Sequence, residues 1–158
     1  MAEDPRIKAR GPNVVAPPPL LYAVPWLGGL LLDRLLPLPR VPLGVRLVGL
    51  ALMAAGIGLA GWFIWAMRRA GTPVDPREAP TALVTEGPFR HTRNPAYVAF
   101  TLTYSGLSLL TSILWPLLLL PLVLLAVDRG VIQREERYLE KQFGSSYRQY
   151  RHRVRRWL

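Results

Sequence analysis

Residues 95–127 read PAYVAFTLTYSGLSLLTSILWPLLLLPLVLLAV, 33 residues without one Asp, Glu, Lys or Arg. Roughly 20 apolar helical residues cross a bilayer, whose hydrocarbon core is about 30 Å thick. A single helix over the whole stretch would be about 50 Å long at 1.5 Å per residue, so it must fold back on itself. The turn is expected within residues 108–116, where Ser108, Thr111, Ser112 and Pro116 interrupt the strongest hydrophobicity. This reading predicts a helical hairpin in a membrane, with spans at about 95–110 and 113–127.

Two more apolar runs precede the hairpin. Residues 20–36 carry charge only at Asp33 and Arg34, and Pro37 and Pro39 close the run. Residues 41–67 are interrupted only by Arg46, placed where a long side chain reaches the interface. On this second run Ala51/Ala55 and Ala54/Gly58 repeat small residues four apart, a spacing that admits a neighbouring helix, although Gly and Ala are also simply common in membrane helices. The fold class expected is an all-α integral membrane protein of about four transmembrane helices, with a C-terminal amphipathic segment over 128–158. Residues 1–19 read as a retained tail, 20–158 as one domain, and 68–94 as a connecting loop.

Composition agrees with a membrane chain: 158 residues, 51% hydrophobic and only 19% charged, with a mean hydropathy of +0.20. Lys and Arg number 20 against 10 acidic residues, a net charge of +10. Cytoplasmic segments collect Lys and Arg. The tail, the loop 68–94 and the C-terminal segment together hold 17 of the 20, so all three are expected on the cytoplasmic side. The counter-charge expected is anionic lipid rather than nucleic acid, because no groove-reading motif accompanies the basic residues. The absence of Cys removes disulfides and thiolate chemistry. With only His91 and His152, a metal centre built on several imidazoles is excluded.

Chemistry-bearing residues gather at two places. The loop closes as TALVTEGPFRHTRNPAY over residues 81–97, where Asn94 and Pro95 read as helix N-cap and first helical position. A helix start offers N–H donors and a positive dipole end, and Arg90 and Arg93 add two cations, a setting for a carboxylate or simply for a capped basic helix start. After the fourth span, Ile132, Glu135, Glu136, Leu139 and Phe143 share one helical face. Two carboxylates on an apolar face need cationic partners, either Arg90 or Arg93 or the ammonium of a ligand. Beyond Gly144, expected to stop the helix, Tyr147, Tyr150, Val154 and Trp157 form a stripe opposite many arginines, which reads as an interfacial helix on anionic headgroups without chemistry of its own.

Taken together, the two segments resemble the isoprenylcysteine carboxyl methyltransferase and phospholipid methyltransferase superfamily. The matching residues are Leu83, Val84, Gly87, Pro88, Phe89, Arg93, Asn94, Pro95 and Tyr97, then Glu135, Glu136, Leu139, Phe143, Gly144 and Tyr147. The resemblance implies S-adenosyl-L-methionine as cofactor. It implies a site of Ala82, Leu83, Val84, Phe89, Asn94, Pro95, Ala96, Tyr97 and Glu135, to which the reading of charge adds Arg93 and Glu136. It further implies methyl transfer to a lipid-like or amphiphilic acceptor, as carboxyl O-methylation of the isoprenylcysteine type. The alternatives are lipid amine N-methylation and a non-catalytic helical scaffold. The chain departs from the carboxyl-methylating branch in two ways. Asn94 and Thr81 stand where His is common, and Val131 stands where an Arg is expected to meet the substrate carboxylate. Arg129 is the candidate substrate-binding residue in its place, although the motif does not itself point to it. No residue is assigned as a general base.

Overall fold

The computed structural model describes residues 12 and 14–158. The basic residues Arg6, Lys8 and Arg10 of the expected tail lie outside the described residues. Among the described residues every regular element is a helix: α1 (Pro18–Leu35), α2 (Leu43–Arg69), α3 (Pro95–Thr111), α4 (Trp115–Val127) and α5 (Gln133–Arg153). A 3₁₀ turn (Gly87–Arg90) precedes α3, and a π-helical turn (Asp128–Ile132) joins α4 to α5.

Proline and backbone sign set the ends. Prolines 37, 39 and 42 fill the connection between α1 and α2, and Pro95 opens α3 at its first turn, where a missing N–H costs nothing. The long apolar stretch breaks at Ser112, whose φ of 62° is left-handed. That conformation costs a non-glycine residue roughly 1–2 kcal/mol. Bonds from the α1–α2 connection hold it: Ser112 Oγ accepts from Val41 N at 2.7 Å, and its carbonyl accepts from Arg40 Nη1 at 2.9 Å. Arg40 also donates to buried Asp33 at 3.0 Å, so both connections at this end of the bundle are tied together.

Helices α2 and α3 pack closest, and glycine is the reason. A Cβ on Gly49 would lie 2.6 Å from Leu110 N, and added Cβ atoms on Gly56 and Gly106 would likewise strike the facing backbone. The small-residue pattern therefore needs correction. Ala51, Ala54, Ala55 and Gly58 lie on exposed parts of α2, whereas Gly49, Met53 and Gly56 carry the contact. Spacing of four residues recurs on several faces of one helix, and only the partner selects among them.

The remaining core is aromatic and hydroxyl-rich. Tyr22 of α1 packs on Phe100 and Tyr104 at ring distances of 5.4 and 5.9 Å, and its hydroxyl bonds to Thr101 Oγ1 at 3.0 Å. Tyr104 donates to Pro116 O at 2.9 Å across the turn, and Trp26 donates to Ser108 Oγ at 3.2 Å. These three polar tips thus each have a partner, as an apolar surrounding demands. The outer faces are the reverse of a soluble protein's: Leu27, Leu31, Leu47, Ile57, Leu118 and Leu122 are all more than half exposed. Two continuous helical stretches, Leu43–Arg69 and Trp115–Arg153, are long and apolar enough to cross a membrane, whereas α1 and α3 are 18 and 17 residues long.

Candidate functional site

Past α2 the chain turns at Gly71 (φ 66°) and loops back to α3. Thr81 closes the loop at its base, its N–H bonding to Thr72 Oγ1 at 3.0 Å and its hydroxyl to Gly71 O at 2.9 Å. Gln142 of α5 holds the loop through Pro80 O at 2.6 Å. At Gly87 (φ 63°) the chain enters the 3₁₀ turn, which sets Phe89 against Phe63 of α2 at 5.8 Å.

The loop, the first turn of α3 and α5 enclose a cavity of about 590 Å³. Ala82, Leu83, Val84, Phe89, Arg93, Asn94, Pro95, Ala96, Tyr97, Glu135 and Glu136 all line it, although they come from segments about 40 residues apart. The walls are mostly apolar, and the apolar end is the part lined by Pro18, Ala60, Phe63, Ile64 and Phe100 of α1, α2 and α3.

The two adjacent carboxylates do different work. Glu136, 8% exposed, ion-pairs with Arg93 at 3.0 Å and with Arg156 at 2.6 Å. Glu135 turns instead to Tyr97, whose hydroxyl donates to Oε1 at 2.6 Å. Burial is the main cause that raises the Glu135 carboxyl to about 7, with Glu136 adding to it and the Tyr97 bond opposing. Arg93 is about nine-tenths buried and is held at the cavity wall by the ion pair from Nη1 to Glu136 Oε1. The cavity wall therefore carries a buried guanidinium paired with Glu136 and, separately, Glu135, which ion-pairs with no cation among the described residues.

Four expectations are corrected by this geometry. Asn94 stands at the N-cap position but makes no capping bond; its side-chain amide donates to Arg156 O at 2.9 Å, because the C-terminal residues pack beside it. Arg90 is exposed and pairs with Glu86 one turn away, so it brings no charge to the cavity. Arg129 is exposed on the π turn and does not line the cavity, since Val131 and Ile132 occupy that turn's buried side. Gly144 bends α5 with a φ of 53° but the helix resumes to Arg153. The stripe beyond it faces inward: Tyr147 and Tyr150 are buried and line the cavity, and Tyr150 donates to Phe89 O at 2.8 Å.

Reading the residues alone misses Phe63 and Met67 of α2, Tyr138, and the loop residues Asp75 and Glu78. Tyr138 had a signal, since it lies three residues after Glu135 on α5. The others had none, because their part depends on how α2 meets the loop.

Comparison with known proteins bears on the same residues. The phospholipid methyltransferase family matches residues 45–146. A Protein-S-isoprenylcysteine O-methyltransferase of Schizosaccharomyces pombe is 40% identical over 72 residues, 46% of this chain and 30% of that protein. An uncharacterized protein of Haemophilus influenzae is 51% identical over 35 residues, 22% of this chain and 56% of the relative. The chain thus spans less than two thirds of either relative's length. No solved structure matches it. With the family match running from α2 into α5 and taking in most of the cavity-lining residues, the chain belongs to the phospholipid methyltransferase family.

Proposed function

We propose that the chain is a membrane methyltransferase that binds S-adenosyl-L-methionine in the cavity and methylates a lipid-like acceptor. The observation that carries this reading is the placing of complementary groups on the wall of one cavity: Arg93, held by Glu136, and Glu135, which ion-pairs with no cation among the described residues. A group bearing both a carboxylate and an ammonium on one carbon fits such a pair. Phe89, Leu83 and Val84 supply flat apolar walls for an aromatic base.

When bound, that cofactor supplies an electrophilic methyl on a sulfonium, and methyl transfer is a direct displacement. The chain's share is to align the acceptor, exclude water and hold the charges still. A carboxylate acceptor is already nucleophilic, so no general base is assigned. Carboxyl O-methylation draws support from the isoprenylcysteine O-methyltransferase relative. Amine N-methylation is the second reading, favoured by the lining itself: Asp75, Glu78, Glu135 and Glu136 against Arg77 and Arg93.

The same reading has α1 to α4 crossing the bilayer, with the loop 70–94 and α5 at the cytoplasmic face. The exposed leucines of α1, α2 and α4 support it, as does the polar tie of Asp33, Arg40 and Ser112 at the far end. The apolar end of the cavity then receives an acyl or prenyl chain from the membrane, and anionic headgroups meet the exposed arginines of α5. Incubation of purified protein with methyl-labelled cofactor and a lipid extract tests this, with mass identification of any labelled product. No label in any lipid, from protein shown to be folded, overturns it.

A further inference from the structure

Arg156 bonds to both halves of the cavity wall, although no residue of 154–158 lines the cavity itself. After α5 the backbone becomes extended at Val154 and passes beside the segment that starts α3. There Arg93 N donates to Arg155 O at 2.9 Å, and Thr92 Oγ1 and Asn94 Nδ2 both donate to Arg156 O, at 3.0 and 2.9 Å. Thr92 and Asn94 are buried, so two carbonyls of the tail supply acceptors that water does not.

The Arg156 side chain holds the other half. Its Nε and Nη2 donate to the two oxygens of Glu136 at 3.1 and 2.6 Å, the forked geometry that binds a carboxylate most strongly. Its Nη1 donates to Asp128 Oδ1 at 3.0 Å, and Gln133 holds the other oxygen of Asp128 at 2.8 Å. Trp157 packs on the buried cluster to which Tyr97, Val131 and Ile132 belong, and so seats the tail beside this fork.

Glu136 in turn holds the Arg93 guanidinium at 3.0 Å. Arg93 is thus tied to the tail twice, by its backbone N–H directly and by its side chain through Glu136. Losing Arg156 removes one of the two cations that hold this buried carboxylate, and a buried charge short of a partner is costly enough to move its neighbours. The family match ends at residue 146, so this brace lies wholly beyond it at one end.

We propose that Arg156 is a positioning residue of the site. Its carbonyl fixes the start of α3, its guanidinium fixes Glu136 at the start of α5, and the spacing of the two motifs across the cavity is set between them. Ligand affinity then depends on a residue outside the cavity wall. The inference rests on the cofactor reading only for the choice of ligand.

The test is a mutant cycle on full-length protein in detergent, titrated with S-adenosylhomocysteine at a temperature where every variant is folded. Arg156→Gln and Glu136→Gln are each expected to weaken binding about tenfold, and the double variant no more than the weaker-binding single one, because Arg156 acts through Glu136. Losses that multiply in the double variant, or unchanged affinity in Arg156→Gln, overturn the proposal. Failure of the wild-type protein to bind S-adenosylhomocysteine overturns the cofactor reading instead. The proposal is then decided by hydrogen exchange of ligand-free protein. Faster exchange over residues 92–97 in Arg156→Gln, with the α2–α3 seam unchanged, supports it, and wild-type exchange over 92–97 overturns it.

Discussion

Tyr97 donates a 2.6 Å hydrogen bond to Glu135, and that one contact joins the first turn of α3 to the first turn of α5 across the cavity. The neighbouring Glu136 is held by two arginines, so Glu135 is the carboxylate left to meet a cation. The predictions below start from this division of labour.

Glu135→Gln keeps the shape and the Tyr97 bond but removes the charge. Losing a charge-assisted bond in a desolvated site weakens cofactor binding by about 1.5–3 kcal/mol, roughly 10- to 150-fold. Calorimetric titration of monodisperse protein reads this directly, and an unchanged dissociation constant would falsify the role of Glu135. Tyr97→Phe, which keeps the ring, is expected to weaken binding by less.

The pH dependence follows from burial. In the empty protein the Glu135 carboxyl is raised to about 7, from an ordinary value near 4.5, so the proton is held more tightly folded than unfolded. Its ionisation therefore costs stability, absent below the ordinary value and complete once pH has risen through 7. A cationic ligand needs the ionised form, so affinity is expected to rise by up to about tenfold per pH unit between 5 and 7, then level off. Glu135→Gln should flatten that slope; a slope that survives assigns the titration to another group.

The α2–α3 seam has no room for side chains. Gly106→Val and Gly49→Val are each expected to destabilise by at least the roughly 1–3 kcal/mol typical of overpacking, since the clash is with facing backbone rather than with a movable side-chain tip. Gly58→Val, where an added Cβ meets nothing within 4 Å, is expected to be close to neutral. Thermal melts of the three variants in one detergent test the ranking, and equal losses would mean that the helices separate readily.

Sidedness is tested with single cysteines at Glu78, Ser145 and Pro39, all exposed. The first two are expected to react with an impermeant reagent from one side and the third from the other. Opposite labelling of Glu78 and Ser145 contradicts a site assembled from both segments.

Substrate access is tested by chain length. Each methylene buried in the apolar end of the cavity adds about 0.8 kcal/mol of binding. Turnover on a long-chain acceptor should therefore far exceed turnover on its water-soluble headgroup fragment at equal concentrations below micelle formation. Truncation after Gly144 removes Tyr147, Tyr150 and Arg156 and is expected to abolish transfer. Equal rates on both acceptors, with an active truncated protein, would contradict a lipid substrate.

Much of this protein was legible without coordinates, because its strongest signals are local. Uncharged length requires helices in an apolar medium, and proline and glycine mark where they end, so α2, α3 and α4 begin and end within two residues of the positions read from composition. The two motifs were legible for the same reason: each lies within one turn or one helical face. Tertiary structure decided which partner each polar group takes. Asn94 could cap a helix or hold a distant carbonyl, and Arg156, 62 residues further along, is what it meets. Glu135 and Glu136 are indistinguishable as neighbours in a row, and only the directions of Tyr97 and Arg156 separate them. The small residues of α2 lie on several faces, and only the approach of α3 selects Gly49 and Gly56. Hydrophobicity and backbone preference act over a few residues and can be read along the chain, whereas pairing between buried charges depends on distances that exist only once the helices have packed.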